Sequence, residues 1–116
     1  MEEKRLKCRL WLEIDGKRFF GPGRDQLLKG IEELGSLSSA AKQMGMSYKK
    51  AWDMIQDLNS RGPQPFVTFH KGGAKGGSAE LTEFGRRFLS RYEVIVSEMS
   101  AYKATWENKL ISMWSE

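Results

Sequence analysis

The chain has 116 residues, of which 40% are hydrophobic and 29% charged, as is typical of one globular domain and not of a disordered chain. Its single cysteine, Cys8, and its single histidine, His70, cannot form an intramolecular disulfide or a zinc cluster. Carboxylates alone could still hold a hard cation, but we expect no metal site. The net charge is +4, and residues 36–79 carry the whole excess, with 6 basic and 2 acidic side chains. This distribution predicts a polyanionic partner for the middle of the chain.

The first predicted elements form a hairpin at the N-terminus. Apolar and polar residues alternate over residues 6–14, which predicts a half-buried strand. Asp15-Gly16 is a hairpin turn signal, and Lys17–Phe20 is expected to return as a second strand. A helix ending at Gly35 is expected to follow. The residues that define its apolar face are Leu27, Leu28, Ile31 and Leu34.

Two short helices joined by a glycine-containing turn are predicted next. Ser36 and Ser38 are candidate N-caps for a helix of about two turns that ends at Gly45. Ser47 is a candidate N-cap for the following helix, which is expected to end within residues 59–65. The residues expected to form its buried stripe are Ala51, Trp52, Ile55 and Leu58. Two helices with such a turn are typical of a helix-turn-helix.

A second hairpin and a long helix complete the predicted fold. Residues 66–71 and Ser78–Leu81 predict two strands joined by a glycine-rich tip, which would form a wing. Thr82 is expected to begin a helix that runs to the chain end, because residues 83–113 contain no proline and only one glycine. The expected class is therefore α+β, a single winged helix-turn-helix domain over residues 1–116. Its parts are the N-terminal β-hairpin (1–20), the helix-turn-helix and wing (22–81) and a C-terminal dimerisation helix (82–116).

Residues 45–55, Gly-Met-Ser-Tyr-Lys-Lys-Ala-Trp-Asp-Met-Ile, resemble the recognition-helix segment in the N-terminal domain of the ModE family of molybdate-responsive transcriptional regulators. The flanking residues 35–41 and 81–89 resemble both that domain and the wider LysR-type winged helix. The resemblance covers residues 6–102 and implies a dimeric winged-helix protein that binds DNA. ModE proteins continue into a molybdate-binding module that these residues do not resemble, so we expect no molybdate site in this chain and a stand-alone DNA-binding domain.

The predicted DNA contacts lie at the start of the third helix, on its free face, and in the wing. Helix-turn-helix proteins reach base edges from the N-terminus of this helix. Lys49 and Lys50 could instead only solvate an exposed helix face, but their position after the turn favours DNA contact. The full set of predicted DNA-binding residues is Ser38, Ser47, Tyr48, Lys49, Lys50, Asp53, Gln56, Lys71, Lys75 and Gly76.

An apolar seam along the last helix predicts contact with a second copy of the chain. From Phe88 to Trp106 the apolar residues follow alternating steps of 4 and 3, as in a heptad repeat. The proximal half could merely pack on the domain, whereas the distal half extends beyond what a small domain can cover. The predicted dimer interface consists of Trp11, Phe88, Tyr92, Ile95, Met99, Tyr102 and Trp106.

Enzyme and nucleotide-binding functions are not supported by the sequence. Lys75 precedes Gly76-Gly77-Ser78 and a strand, which is the wrong order for a phosphate-binding loop. His70 is the only imidazole, and no nucleophile-elbow motif is present. We therefore expect a sequence-specific transcriptional regulator that binds double-stranded DNA as a homodimer, without a cofactor. Because no signal core or apolar membrane span is found, we expect it in the cytoplasm of a prokaryote. The alternative is a protein-interaction module in which a winged helix serves as a scaffold and the aromatic terminal helix recruits a partner.

Overall fold

A computed structural model describes residues 2–71 and 77–116. Over these residues the chain is α+β, as predicted, with four α-helices and two small antiparallel sheets. The elements in chain order are β1 (Leu12–Ile14), β2 (Lys17–Phe20), α1 (Pro22–Leu34), α2 (Leu37–Gln43), α3 (Tyr48–Arg61), β3 (Val67–His70), β4 (Ser78–Leu81) and α4 (Glu83–Ile111), followed by a 3-10 turn (Ser112–Ser115). No helix in the described part of the chain is both long and apolar enough to cross a bilayer.

The N-terminal hairpin is shorter than its alternating pattern predicts. The expected strand over residues 6–14 is wrong for residues 6–11, because β1 begins only at Leu12, which pairs with Phe20. The partner strand β2 has four residues, and Pro22, which has no N–H, starts α1 soon after it. Among the described residues, none forms a strand opposite residues 6–11.

These residues lie along α4 instead. The Tyr92 hydroxyl donates a hydrogen bond to the carbonyl oxygen of Leu10 at 2.8 Å. Further along the helix, the N–H of Leu6 donates to Glu107 Oε2, also at 2.8 Å. The N-terminal segment thus satisfies part of its backbone on the side of the last helix, in place of a sheet ladder.

The hydrophobic core lies between α1, α3, the two hairpins and the start of α4. Phe66 is its central aromatic residue, and its ring centroid lies 5.1–6.2 Å from the rings of neighbouring phenylalanines. Those neighbours are Phe19, Phe20, Phe84 and Phe88. On α1 the buried face includes Leu27, Leu28 and Ile31, whereas Leu34 is exposed at the last position of the helix, just before Gly35 turns the chain away with φ of +72°.

Local caps define the ends of α2 and α3 as predicted. The Ser36 hydroxyl accepts a hydrogen bond from the N–H of Ser39 at 3.0 Å, so Ser36, and not Ser38, is the cap of α2. Gly45 has φ of +68°, in the left-handed region that the turn requires. The Ser47 hydroxyl accepts from the N–H of Lys50 at 3.1 Å and caps α3. α3 ends at Arg61, within the predicted range of residues 59–65.

The second hairpin joins α3 to α4. β3 and β4 pair in the register Val67 with Leu81 and His70 with Ser78, while the tip over residues 72–76 is outside the described residues. The Thr82 hydroxyl caps α4 by accepting from the N–H of Gly85 at 2.9 Å. Gly85 is buried against Phe66, so α4 starts in direct contact with the residue that leads into β3.

Candidate nucleic-acid interface

The first turn of α3 presents four consecutive exposed residues, Ser47, Tyr48, Lys49 and Lys50. The opposite face of the same helix is held in the core by Ala51, Ile55 and Leu58, as predicted. Lys50 forms no ion pair with any described residue, whereas Lys49 Nζ lies 2.9 Å from Asp53 Oδ2. A helix N-terminus also carries partial positive charge from its backbone dipoles, so this end of α3 is suited to an anionic partner.

The structure brings several predicted DNA-binding residues to two adjoining depressions beside α3. One recess, of about 860 Å³, lies between α2, α3 and β3 and contains Ser38, Tyr48 and Lys71. A shallower groove on the other side of α3 contains Ser47, Lys49, Lys50 and Asp53. Gln56 is exposed further along α3. The predicted contacts Lys75 and Gly76 fall outside the described residues.

Trp52 is not a core residue, and the prediction that it is buried is wrong. Its side chain is 37% exposed, because the buried stripe of α3 uses residues 51, 55 and 58 and leaves position 52 turned towards β3. The Trp52 ring stacks on Tyr48 at 6.3 Å between centroids and packs on Phe69 at 5.0 Å. We call Tyr48, Trp52 and Phe69 the aromatic ladder.

Phe69 was not among the residues predicted for the site. Phe69 lies two residues after the buried Val67 and therefore on the same face of β3, which favours a core position. It is nevertheless 37% exposed. The first turn of α3, and not the core, lies against that end of β3. The sequence signal that could have identified Phe69 is an aromatic residue in the strand that follows the predicted helix-turn-helix.

A charge network fixes the far end of α3 to the rest of the domain. Arg24 Nη1 donates to Asp57 Oδ2 at 2.6 Å and to the carbonyl oxygen of Phe19 at 2.8 Å. Arg61 donates to both oxygens of Asp57 at 2.8 Å and to the carbonyl oxygen of Arg18 at 2.8 Å. The hydrogen bond from Arg61 lowers the pKa of Asp57 to about 2, against the opposing effect of burial and with help from Arg24. The network connects α3 with α1 and β2 and so orients its exposed N-terminus.

The residues predicted for a dimer interface fall into two groups. Phe88 and Tyr92 pack inside the domain, with ring centroids 4.8 and 4.9 Å from Phe20. Burial, with a smaller contribution from the charge of Asp25, raises the pKa of Tyr92. Trp11 packs over Gly21, and the Arg18 guanidinium lies 4.0 Å from the centre of its ring. The second group, which is exposed from the middle of α4 onward, consists of Ile95, Met99, Tyr102 and Trp106.

Comparison with known proteins identifies relatives of most of this chain. It is 38% identical over 98 residues to the molybdenum transport protein ModE of Azotobacter vinelandii, which covers 84% of this chain and 36% of the relative. It is 40% identical over 88 residues to the transcriptional regulator ModE of Yersinia pestis, covering 76% of this chain and 34% of the relative. The chain contains a ModE-like domain.

A further relative is the molybdenum-pterin-binding protein MopB of Rhodobacter capsulatus, which is 38% identical over 99 residues, 85% of this chain and 36% of MopB. The chain spans about a third of the length of the ModE and MopB relatives that it matches. None of these three relatives is named as an enzyme. No protein-family model matches the chain.

Proposed function

We propose that this chain is the DNA-binding part of a transcriptional regulator and that it adopts a winged helix-turn-helix fold. In this proposal α2 and α3 form the helix-turn-helix, and β3 and β4 form the wing. The observation that carries the proposal is the first turn of α3, where Tyr48, Lys49 and Lys50 are exposed while the opposite helix face is anchored in the core. Recognition helices of this class enter the major groove with their N-terminal residues.

The remaining predicted residues have distinct roles in this proposal. Ser47 and Lys50 lie where a helix N-terminus approaches a phosphate, and Ser38 has a hydroxyl beside the same surface. Asp53 and Gln56, further along α3, are side chains that bind cytosine and adenine edges respectively in other complexes. In the wing, Lys71, Lys75 and Gly76 would contact the DNA backbone.

We further propose that the regulator is a homodimer joined through the distal half of α4. Trp106 is 43% exposed there, and Tyr102 and, in the 3-10 turn that follows, Met113 are more exposed still, which is an unusual density of large apolar side chains on a solvent-exposed helix face. A second copy of the helix would cover them and would hold two α3 helices about one turn of DNA apart, since each half-site needs its own recognition helix. The relatives named transcriptional regulator ModE support the regulatory role.

The proposal is tested by measuring the affinity for duplex DNA at increasing salt by fluorescence anisotropy. About four to eight phosphate contacts per dimer predict a log–log slope of roughly −4 to −7. Lys50→Ala should weaken binding to all sequences and make the slope shallower by about one for each phosphate that is no longer neutralised.

Lys17→Ala is the matched control, because Lys17 precedes Arg18, which contacts Arg61 at the other end of α3. Fourteen helical residues separate the two ends by about 20 Å. Lys17→Ala should leave both affinity and slope unchanged. If the wild-type protein binds no duplex even at low salt, the DNA-binding proposal is wrong and the protein-interaction module is favoured.

A further inference from the structure

We propose that the aromatic ladder covers thymine methyl groups in the major groove and thereby contributes sequence preference. The inference rests on the proposed DNA-binding function and assigns Trp52 and Phe69 a part in it. It names one chemical feature of the base pairs that these side chains recognise.

The ladder is a continuous apolar strip that extends from the first turn of α3 to β3. Tyr48 is 52% exposed, and Trp52 and Phe69 are each 37% exposed. The ring centroids are 6.3 Å apart between Tyr48 and Trp52 and 5.0 Å apart between Trp52 and Phe69. Three adjoining aromatic rings open to solvent form the kind of patch that soluble proteins cover with a ligand or partner.

The surroundings of the ladder favour a polyanion as that partner. The recess beside it is bordered by the hydroxyls of Ser36, Ser38 and Ser39 and by the ammonium group of Lys71. None of the described residues that line this recess carries a carboxylate. Hydroxyl and ammonium donors around an apolar strip are complementary to a nucleic-acid groove, where phosphate oxygens flank the base edges.

Within the major groove the thymine methyl is the apolar group that base edges present. The Tyr48 and Trp52 rings are nearly parallel, with an angle of 21° between their planes, and their centroids are 6.3 Å apart, within the range of direct aromatic contact, so no open slot for a base lies between them. The ring edges and the strip as a whole remain available for a methyl group. The ladder therefore favours contact with thymine methyls over insertion of unpaired bases between its rings.

The expected effect follows from the area of a methyl group. Burial of one such group is worth about a fourfold change in affinity. If each half-site of a symmetric operator buries one thymine methyl, the affinity of the dimer for the duplex rises about fifteenfold. A change of this size is readily measured.

The experiment uses a duplex selected from a random pool by the wild-type protein, together with the same duplex in which deoxyuridine replaces every thymidine, a change that removes only the methyl groups. The wild-type protein should bind the uracil duplex at least about fourfold more weakly. Trp52→Ala should bind both duplexes with equal affinity, and Trp52→Phe should keep part of the discrimination. Lys50→Ala is the matched control, since it should weaken binding to both duplexes and preserve their affinity ratio. Circular dichroism checks that each variant is folded.

Equal wild-type affinity for the two duplexes would overturn the inference while leaving DNA binding intact. A Trp52→Ala protein that keeps the full discrimination would also overturn it, because another residue would then read the methyl groups.

If Trp52→Ala does not fold, Tyr48→Ala replaces it, since Tyr48 is half exposed and stacks only on Trp52 among the aromatic residues described. The Tyr48→Ala protein should also discriminate less between the thymine and uracil duplexes. An affinity ratio equal to that of the wild type would count against the role of the aromatic ladder. Tighter binding to single strands than to the duplex would overturn the inference, and failure to bind any DNA would instead refute the proposed function.

Discussion

Gly85 provides a sharp test of how α4 is docked on the domain. It occupies the first turn of the helix, where alanine ordinarily stabilises by up to about 1 kcal/mol relative to glycine. A Cβ atom at this position, however, would overlap the carbonyl oxygen of Phe66. That oxygen accepts a hydrogen bond from the N–H of Thr82 at 2.9 Å, and the Thr82 hydroxyl lies 3.3 Å from it. Gly85→Ala should therefore separate the start of α4 from Phe66.

The expected change in stability of Gly85→Ala follows from these opposing contributions. Overpacking against backbone costs about 1–3 kcal/mol, and loss of a hydrogen bond costs about 1 kcal/mol more. Subtracting the gain in helix propensity leaves a net loss of about 1–3 kcal/mol in the free energy of unfolding. For a domain of this size the midpoint of thermal unfolding should fall by about 3–15 °C.

Gly23→Ala is the matched control, because it makes the same substitution in the first turn of α1, where an added Cβ would have no neighbour within 4 Å. It should leave stability unchanged or raise it by up to about 1 kcal/mol. Urea denaturation followed by circular dichroism measures both variants. If Gly85→Ala proves as stable as the wild type, or if the two variants shift stability in the same direction, the proposed contact between α4 and Phe66 is incorrect.

Two further predictions concern assembly and charge. Trp106→Glu should dissociate the proposed dimer while each domain stays folded, because an unpaired buried charge costs several kcal/mol; sedimentation and circular dichroism measure the two effects. Asp57→Asn should lower the free energy of unfolding at pH 7 by about 1–2 kcal/mol, a value reduced for partial exposure. Since folding lowers the pKa of Asp57 from 3.8 to about 2, its contribution is present above pH 4 and is lost as the pH falls through 2, below which the two proteins should become equally stable.

The outcomes that would contradict these two predictions are distinct. A wild-type protein that sediments as a monomer at tens of micromolar, and that binds a single half-site as tightly as an inverted repeat, would refute the dimer proposal. For the charge network the control is Asp53→Asn, which removes an exposed pair with Lys49 and should change stability by less than about 0.5 kcal/mol. If Asp57→Asn lowers the free energy of unfolding by the same amount at pH 2 as at pH 7, the shape of the side chain, and not its charge, accounts for the loss.

The features that the sequence determined by itself are those encoded within a few residues of one another. The serine caps at Ser36 and Ser47 and the left-handed turn at Gly45 follow from short-range hydrogen bonding and backbone sterics. The unusual length of α4 follows from the absence of helix-breaking residues after Thr82, although the α-helix ends at Ile111 and a 3-10 turn replaces it over the predicted last residues. The exposed start of α3 also follows locally, because its apolar residues recur with helical spacing on the other face.

Tertiary structure decided the features that depend on which element lies opposite. The alternation over residues 6–14 is compatible with a strand, but a strand needs a partner, and β2 is too short to pair with residues 6–11, which lie along α4 instead. Helical spacing places Trp52 next to the buried stripe of α3. A side chain at that position is buried only if another element covers it. At that end of α3 the facing group is Phe69 at the margin of the domain, so both rings remain partly exposed and together form the surface proposed to read DNA.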